Sequence, residues 1–148
     1  MVDATSGVSL LRFQGGRGRQ RDDLVAREEP LEIRLGGVPL AVVMRTPGHD
    51  AELAAGFLVS ERVVEKPGDV ESVRHCRVAP DPGGEENVIQ VVLAPGVQVD
   101  LERLRRNLFA SSSCGICGKA TIENALASAP PLEDPARFSP GFFYAMPG

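Results

Sequence analysis

Leu31-Glu32-Ile33-Arg34-Leu35-Gly36-Gly37-Val38 sets apolar residues at 31, 33 and 35 against charged residues at 32 and 34 before two glycines interrupt. A period of two is that of a strand with one buried face. The Gly36-Gly37 pair suits a tight two-residue hairpin turn, whose residues need positive φ, and Val38 to Met44 is the returning strand. Arg45-Thr46-Pro47-Gly48 then breaks the alternation, and from about Asp50 the period becomes helical. Leu53 with Phe57, and Ala54 with Leu58, are i,i+4 pairs that make one apolar stripe. Asp50 and Glu52 fall in the first turn, where carboxylates favour the positive end of the helix dipole.

Downstream of this hairpin and helix, Val70 to Val78 is a weaker strand candidate. Asp81-Pro82-Gly83-Gly84 separates it from Val88-Ile89-Gln90-Val91-Val92-Leu93, whose nearly continuous apolar character predicts a central strand covered on both faces. Leu101, Leu104 and Leu108 predict a short helix starting near Asp100 as N-cap. The composition then changes. Ser111-Ser112-Ser113-Cys114-Gly115-Ile116-Cys117-Gly118-Lys119 is small, polar and glycine-rich, and it feeds a stretch of helix formers from Ala120 to Ala129. The cysteines are thus expected in a loop entering a helix N-terminus. Beyond them, Pro130, Pro131, Pro135, Pro140 and Pro147 punctuate a tail without clear periodicity, which gathers Phe138, Phe142, Phe143 and Tyr144. Those aromatics need a surface to pack on, so the end resembles an interrupted domain.

Upstream lies a head with Arg12, Arg17, Arg19 and Arg21 interspersed with Gly15, Gly16 and Gly18. Glycines at that density give it little reason to fold, and a flexible, solvated tail is expected over residues 1–21. The remaining organisation is an N-terminal α+β region over 22–108 and a cysteine-bearing region over 109–148. The whole chain is expected to be α/β.

Bulk properties agree with a folded chain. It has 148 residues, 43% hydrophobic and 24% charged, and a compact domain of this size buries roughly 70% of its unfolded surface. A net charge of −4, with basic residues clustered only in the head, argues against nucleic acid as a partner. No apolar run approaches the ~20 residues that span a bilayer, and the first residues lack the order of a secretory signal, so the expected location is cytoplasmic, without a membrane partner.

Three cysteines, two of them in Cys114-Gly115-Ile116-Cys117, suggest redox, metal or sulfur chemistry in a reducing compartment before a structural bridge. A thiolate is the nucleophile and metal ligand, and it is stabilised at a helix N-terminus or beside a cation such as Lys119. Gly115 and Gly118 keep side chains away from the sulfurs and let backbone N–H groups approach an anion. A persulfide needs that environment too, because its outer sulfur is anionic near neutral pH. A second thiolate can attack the persulfide bond and expel the outer sulfur, leaving a disulfide. Zinc is the competing reading. It usually needs two such pairs or a pair plus histidines, and only His49, His75 and Cys76 are available. His75 and Cys76 are adjacent in a strand and point to opposite faces, and Cys76 alone reads as a small buried apolar residue. A thioredoxin-like site would want the motif after a first strand and before a long helix, which is not its place here. In Arg45-Thr46-Pro47-Gly48-His49-Asp50, a strand-to-helix connection explains Pro47, Gly48 and Asp50, leaving Arg45 and His49 as candidate anion-binding residues.

Three segments together resemble the formate dehydrogenase accessory sulfurtransferase family, FdhD: Glu29-Pro30-Leu31-Glu32-Ile33, the run from Met44 through Arg45-Thr46-Pro47-Gly48-His49-Asp50 to Leu58, and Ser112 to Lys119. The resemblance covers about residues 22 to 126. It implies a sulfur carrier that accepts sulfur from a cysteine desulfurase and passes it to the molybdenum cofactor, as bis-molybdopterin guanine dinucleotide, for the formate dehydrogenase catalytic subunit. Cys114 takes the persulfide role in this reading and Cys117 the supporting one. The cofactor is substrate, no permanently bound cofactor or metal is expected, and a homodimer is left open. The implied main domain is a cytidine deaminase-like α/β sandwich, incomplete here, preceded by a small β-hairpin-plus-helix region. Deaminase chemistry is not implied, because His49 and Glu52 are not in H-x-E order and no proline precedes Cys114. Family members are nearly twice this length, and the motifs of their second half are absent, so a zinc-stabilised or redox module and an inactive fragment remain as alternatives. Arg62 stands where the family usually has glycine after Glu61.

Overall fold

The structure is a computed structural model that describes residues 4–76, 87–102, 104, 117, 119–125 and 133–146. It divides into two compact units, Met1–Ala4 with Arg27–Ala127 and Thr5–Ala26 with Ser128–Gly148.

The first unit is built on a four-stranded mixed sheet of β3 (Glu29–Leu35), β4 (Val38–Arg45), β5 (Val70–His75) and β6 (Val88–Leu93), in the order β4-β3-β6-β5. β3 and β4 form the expected antiparallel hairpin, with Leu35 opposite Val38 and Leu31 opposite Val43. Gly36 and Gly37 turn at φ +58° and +88°, the positive pair that a two-residue hairpin demands. β6 pairs parallel with β3, Ile33 opposite Ile89 and Leu35 opposite Val91, and antiparallel with β5. It is interior, as its apolar run predicts. β5 ends at His75, three residues short of the predicted Val78, and residues 77 and 78 lie outside the described residues.

Alternation gives this sheet two distinct faces. One carries Leu31, Ile33, Leu35, Ile89 and Val91, all buried, beneath the helix α1 (Asp50–Ser60). α1 presents Asp50, Ala54 and Leu58 inward, while Leu53, expected in the stripe, is 36% exposed. The fully buried line is therefore i,i+4,i+8, and Phe57 of the predicted stripe also packs against the core. The other face carries Glu32, Val42 and Val88 under the short helix α2 (Ile122–Ala125).

α1 ends in a C-terminal motif in which Val63 N–H donates to Leu58 O at 2.8 Å and Arg62 N–H to Val59 O at 3.0 Å. This closure requires a left-handed residue at position 62, and Arg62 adopts φ +56° there. Farther on, Asp69 accepts from the N–H groups of Glu65 at 2.9 Å and Lys66 at 3.1 Å, which hold its carboxyl below the usual carboxylate range. Residues 101, 102 and 104 are helical, with Leu104 N–H on Asp100 O, as predicted from Asp100; Leu108 lies outside the described residues.

In the second unit the prediction of a flexible head over 1–21 is corrected. β1 (Thr5–Gln14) and β2 (Arg17–Ala26) pair antiparallel along their full length, from Thr5 opposite Ala26 to Gln14 opposite Arg17. The glycines read as a sign of disorder are instead the turn: Gly15 and Gly16 take φ +58° and +77°. Gly18 lies opposite Phe13, so close that a Cβ would meet the ring at 3.1 Å. Every residue of β2 is exposed. The C-terminal tail, expected to lack periodicity, includes among its described residues the helical element α3 (Pro140–Tyr144), and the Tyr144 hydroxyl donates to Phe13 O at 2.9 Å. Phe138, Phe142 and Phe143 cluster, with the first two rings stacked 4.9 Å apart, yet all three remain about half exposed. The two-unit division also differs from boundaries at 21/22 and 108/109, because the hairpin groups with the tail.

Candidate functional site

The cysteine loop is held at its exit. Cys114, Gly115 and Gly118 lie outside the described residues; Cys117 is a half-buried free thiol in a turn, and Lys119 is exposed. Two residues after Cys117, the Lys119 carbonyl accepts the Val42 N–H at 2.8 Å. Among the described strands β4 is an edge of its sheet, so this bond adds the loop's exit to that edge. Thr121 follows, its Oγ1 accepting the Asn124 N–H at 3.3 Å and its carbonyl the Ala125 N–H at 3.0 Å.

The second anchor is Glu32. Its side chain is only about 3% exposed, and Oε2 accepts the Ile122 N–H at 2.9 Å while Oε1 accepts from Arg34 Nε at 2.6 Å. A buried carboxylate needs a cation and hydrogen-bond donors, and Glu32 has both. It joins residues 90 positions apart, the middle of β3 and the start of the helix that leaves the cysteine loop. Ile122, 1% exposed, seats that helix on Val42 and Val88.

This arrangement alters one expectation. A sequence reading assigns the helix N–H groups after the loop to the sulfur anion, but Ile122 N–H is taken by Glu32 and Asn124 N–H by Thr121. Sequence reasoning missed Glu32, which looked like the polar half of an alternating strand. The signal available was a glutamate in a strand whose second face also needed a cover.

A second cluster accounts for Arg45. Its guanidinium grips both oxygens of Asp50, Nε to Oδ1 at 3.1 Å and Nη2 to Oδ2 at 3.2 Å, and also reaches Glu29 Oε2 at 3.1 Å and Asn87 Oδ1 at 2.9 Å. Both Arg45 and Asp50 are buried. This fork ties the end of β4 to the first turn of α1, and removal of one partner from such a buried pair costs about 3–5 kcal/mol. The anion-binding expectation for Arg45 is therefore corrected: its guanidinium is engaged by the chain's own carboxylates. His49 does not join it. Its side chain is 90% exposed, 3.8 Å from Glu52 Oε1.

His75 and Cys76 diverge as the strand geometry requires. His75 Nε2 lies 3.4 Å from Asp50 Oδ2, on the α1 side, whereas Cys76 packs with Val42, Val88 and Ile122 on the other. They cannot share a metal ion, and Cys76 has the apolar role expected of it. Of the sequence-derived site residues, Lys119 meets the sheet edge through its carbonyl, and Arg45 and His49 are separate. No helix among the described residues is long and apolar enough to cross a membrane.

The FdhD/NarQ family model matches residues 26–147. A protein named sulfur carrier protein FdhD from Streptomyces coelicolor is 43% identical over 99% of this chain and 54% of its own length. The Mycobacterium tuberculosis protein of that name is 43% identical over 86% of this chain and 48% of its own. The chain spans about half the length of these relatives. A solved structure from Desulfotalea psychrophila, described as a formate dehydrogenase accessory protein, superposes with a TM-score of 0.51 at 22% identity, over 62% of this chain and 38% of that one. That likeness concerns the fold, while the sequence match extends through both segments that carry the anchored loop: the chain belongs to the FdhD/NarQ family.

Proposed function

We propose that this chain is a sulfur carrier, the role for which its relatives are named, and that Cys114 carries the sulfur. In this reading the Cys114 thiolate attacks the outer sulfur of a cysteine desulfurase persulfide. The new S–S bond forms as the donor's S–S bond breaks, the donor leaves as a thiolate, and Cys114 bears the persulfide. The outer sulfur then passes to the molybdenum cofactor, as substrate, before it enters formate dehydrogenase. Cys117 is the supporting thiol; by attacking the inner sulfur of Cys114 it would expel hydrosulfide and leave a disulfide. The segment from 109 onward begins the cytidine deaminase-like layer.

The observation that best supports this reading is the anchoring of the loop's exit on two strands, through Val42 to Lys119 and Glu32 to Ile122. A carrier thiol must meet two partners in turn, which favours an accessible loop whose base is fixed. The test is the intact mass of the chain after incubation with cysteine and a cysteine desulfurase, for wild type, Cys114→Ala and Cys117→Ala. A gain of one sulfur, reversed by reductant and lost only in Cys114→Ala, is expected. A gain that survives Cys114→Ala, or no gain by folded protein, overturns the assignment.

A further inference from the structure

The arginines of the head become a different object once β1 and β2 pair. Directly opposed residues share a face, so Arg12 opposite Arg19, Gln14 opposite Arg17 and Leu10 opposite Arg21 place four guanidiniums on one side of the ribbon. Like charges directly opposite each other destabilise a strand pair, and Arg12 faces Arg19. Among the described residues, Arg12, Arg17 and Arg19 have no carboxylate partner, and Arg21 has a single long pair, Nε to Asp23 Oδ2 at 3.9 Å. Together with Gln14 and Gln20 these arginines line an open groove of about 470 Å³. The hairpin lies almost wholly outside residues 26–147, the extent of the family match, so this face is separate from the features that define the family.

We propose that the arginine face of the β1–β2 hairpin is a docking surface for an acidic protein segment in extended conformation. Two features select that partner. Among the described strands β2 is an edge of a two-stranded sheet, so a third strand can pair with its outer edge. Arg17, Arg19 and Arg21 also recur every second residue, about 6.7 Å apart, which is the spacing of carboxylates at every second position of an extended chain. A single-stranded nucleic acid would want aromatic platforms between the cations, and among the described residues the two strands put none on the arginine face: Phe13 lies on the opposite face, against Gly18. The acidic segment therefore pairs by charge with the guanidiniums and by backbone with β2.

The experiment is fluorescence anisotropy with the full chain and three labelled probes: a peptide with glutamate at every second position, the same peptide with lysine, and a single-stranded oligothymidylate. The glutamate peptide should bind, weaken with added salt, and weaken about tenfold or more in Arg12→Thr/Arg19→Thr, equivalent to about 1.4 kcal/mol or more. Threonine suits a strand and removes the repulsion, so this variant retains the hairpin. Arg17→Glu/Arg19→Glu should instead bind the lysine peptide. Amide hydrogen exchange on β2 should slow when the glutamate peptide is present. Absence of glutamate-peptide binding, tighter binding of oligothymidylate, or unchanged affinity in both variants overturns the proposal. None of these readouts uses sulfur loading, so their outcome is independent of the carrier reading.

Discussion

The sheet β4-β3-β6-β5 and the hairpin β1–β2 are built from the same backbone bonds and differ in nearly everything else. In the sheet, Leu31, Ile33, Ile89 and Val91 are fully buried between strands and α1, and a second layer covers the other face through Ile122. In the hairpin, ten residue pairs are in register, yet every residue of β2 is exposed. A regular ladder thus says little about where stabilisation lies. Apolar burial contributes about 25 cal/mol per Å², and a hydrogen bond that replaces one to water about 0.5–1.5 kcal/mol. A ribbon with few buried side chains is held mainly by pairing and by its glycine turn, which leaves its surface free to be charged.

The largest expected effect tests this contrast directly. Leu58, fully buried on the inward side of α1, should cost about 2–5 kcal/mol when replaced by alanine, from lost transfer energy and the cavity left behind. The chemically identical Leu24→Ala in β2, where the side chain is 70% exposed, should stay within about 0.5 kcal/mol. Urea unfolding midpoints of the two variants decide it, and equal losses would break the comparison.

A smaller effect sharpens the account of the sheet's second face. Glu32→Ala leaves the buried Ile122 N–H without an acceptor and should cost about 1–3 kcal/mol, with faster amide exchange at Ile122. Glu32→Gln keeps an acceptor oxygen and should restore most of the Ile122 protection. If alanine leaves that exchange unchanged, Glu32 does not anchor the exit of the cysteine loop.

The smallest effect compares two turns. The hairpin places glycines at both positive-φ positions, 15 and 16, whereas α1 closes on Arg62 at φ +56°. Arg62→Gly relieves a left-handed conformation that costs a residue with a Cβ about 1–2 kcal/mol, partly offset by the greater freedom of glycine when unfolded, for a net gain of about 0.5–1 kcal/mol. A thermal midpoint that falls instead would show that the arginine side chain contributes more there than its backbone loses.

Local patterns were legible because their physics is local. Period two over Leu31–Leu35, two glycines at 36 and 37 and the helical period after Asp50 each appear in the structure close to where they were read. The head was misread because glycine density has two meanings: Gly15 and Gly16 serve a turn, and the flanking strands lack the apolar alternation by which strands are recognised. Within the candidate site, Cys117 and Lys119 could be named from spacing, while Glu32 and the fate of Arg45 could not. A strand's period states which residues share a face, not what that face meets.

By itself, then, the amino-acid sequence determined the β3–β4 hairpin, the start of α1 and the interior character of β6, because each depends on neighbours within a few residues. Only the tertiary structure decided that β6 runs parallel beside β3, that Arg45 closes on Asp50, Glu29 and Asn87, and that Glu32 reaches Ile122 across 90 residues. The reason is desolvation. A charge placed in a strand must find its counter-charge and donors when that strand is buried, and those partners are set by how the layers stack.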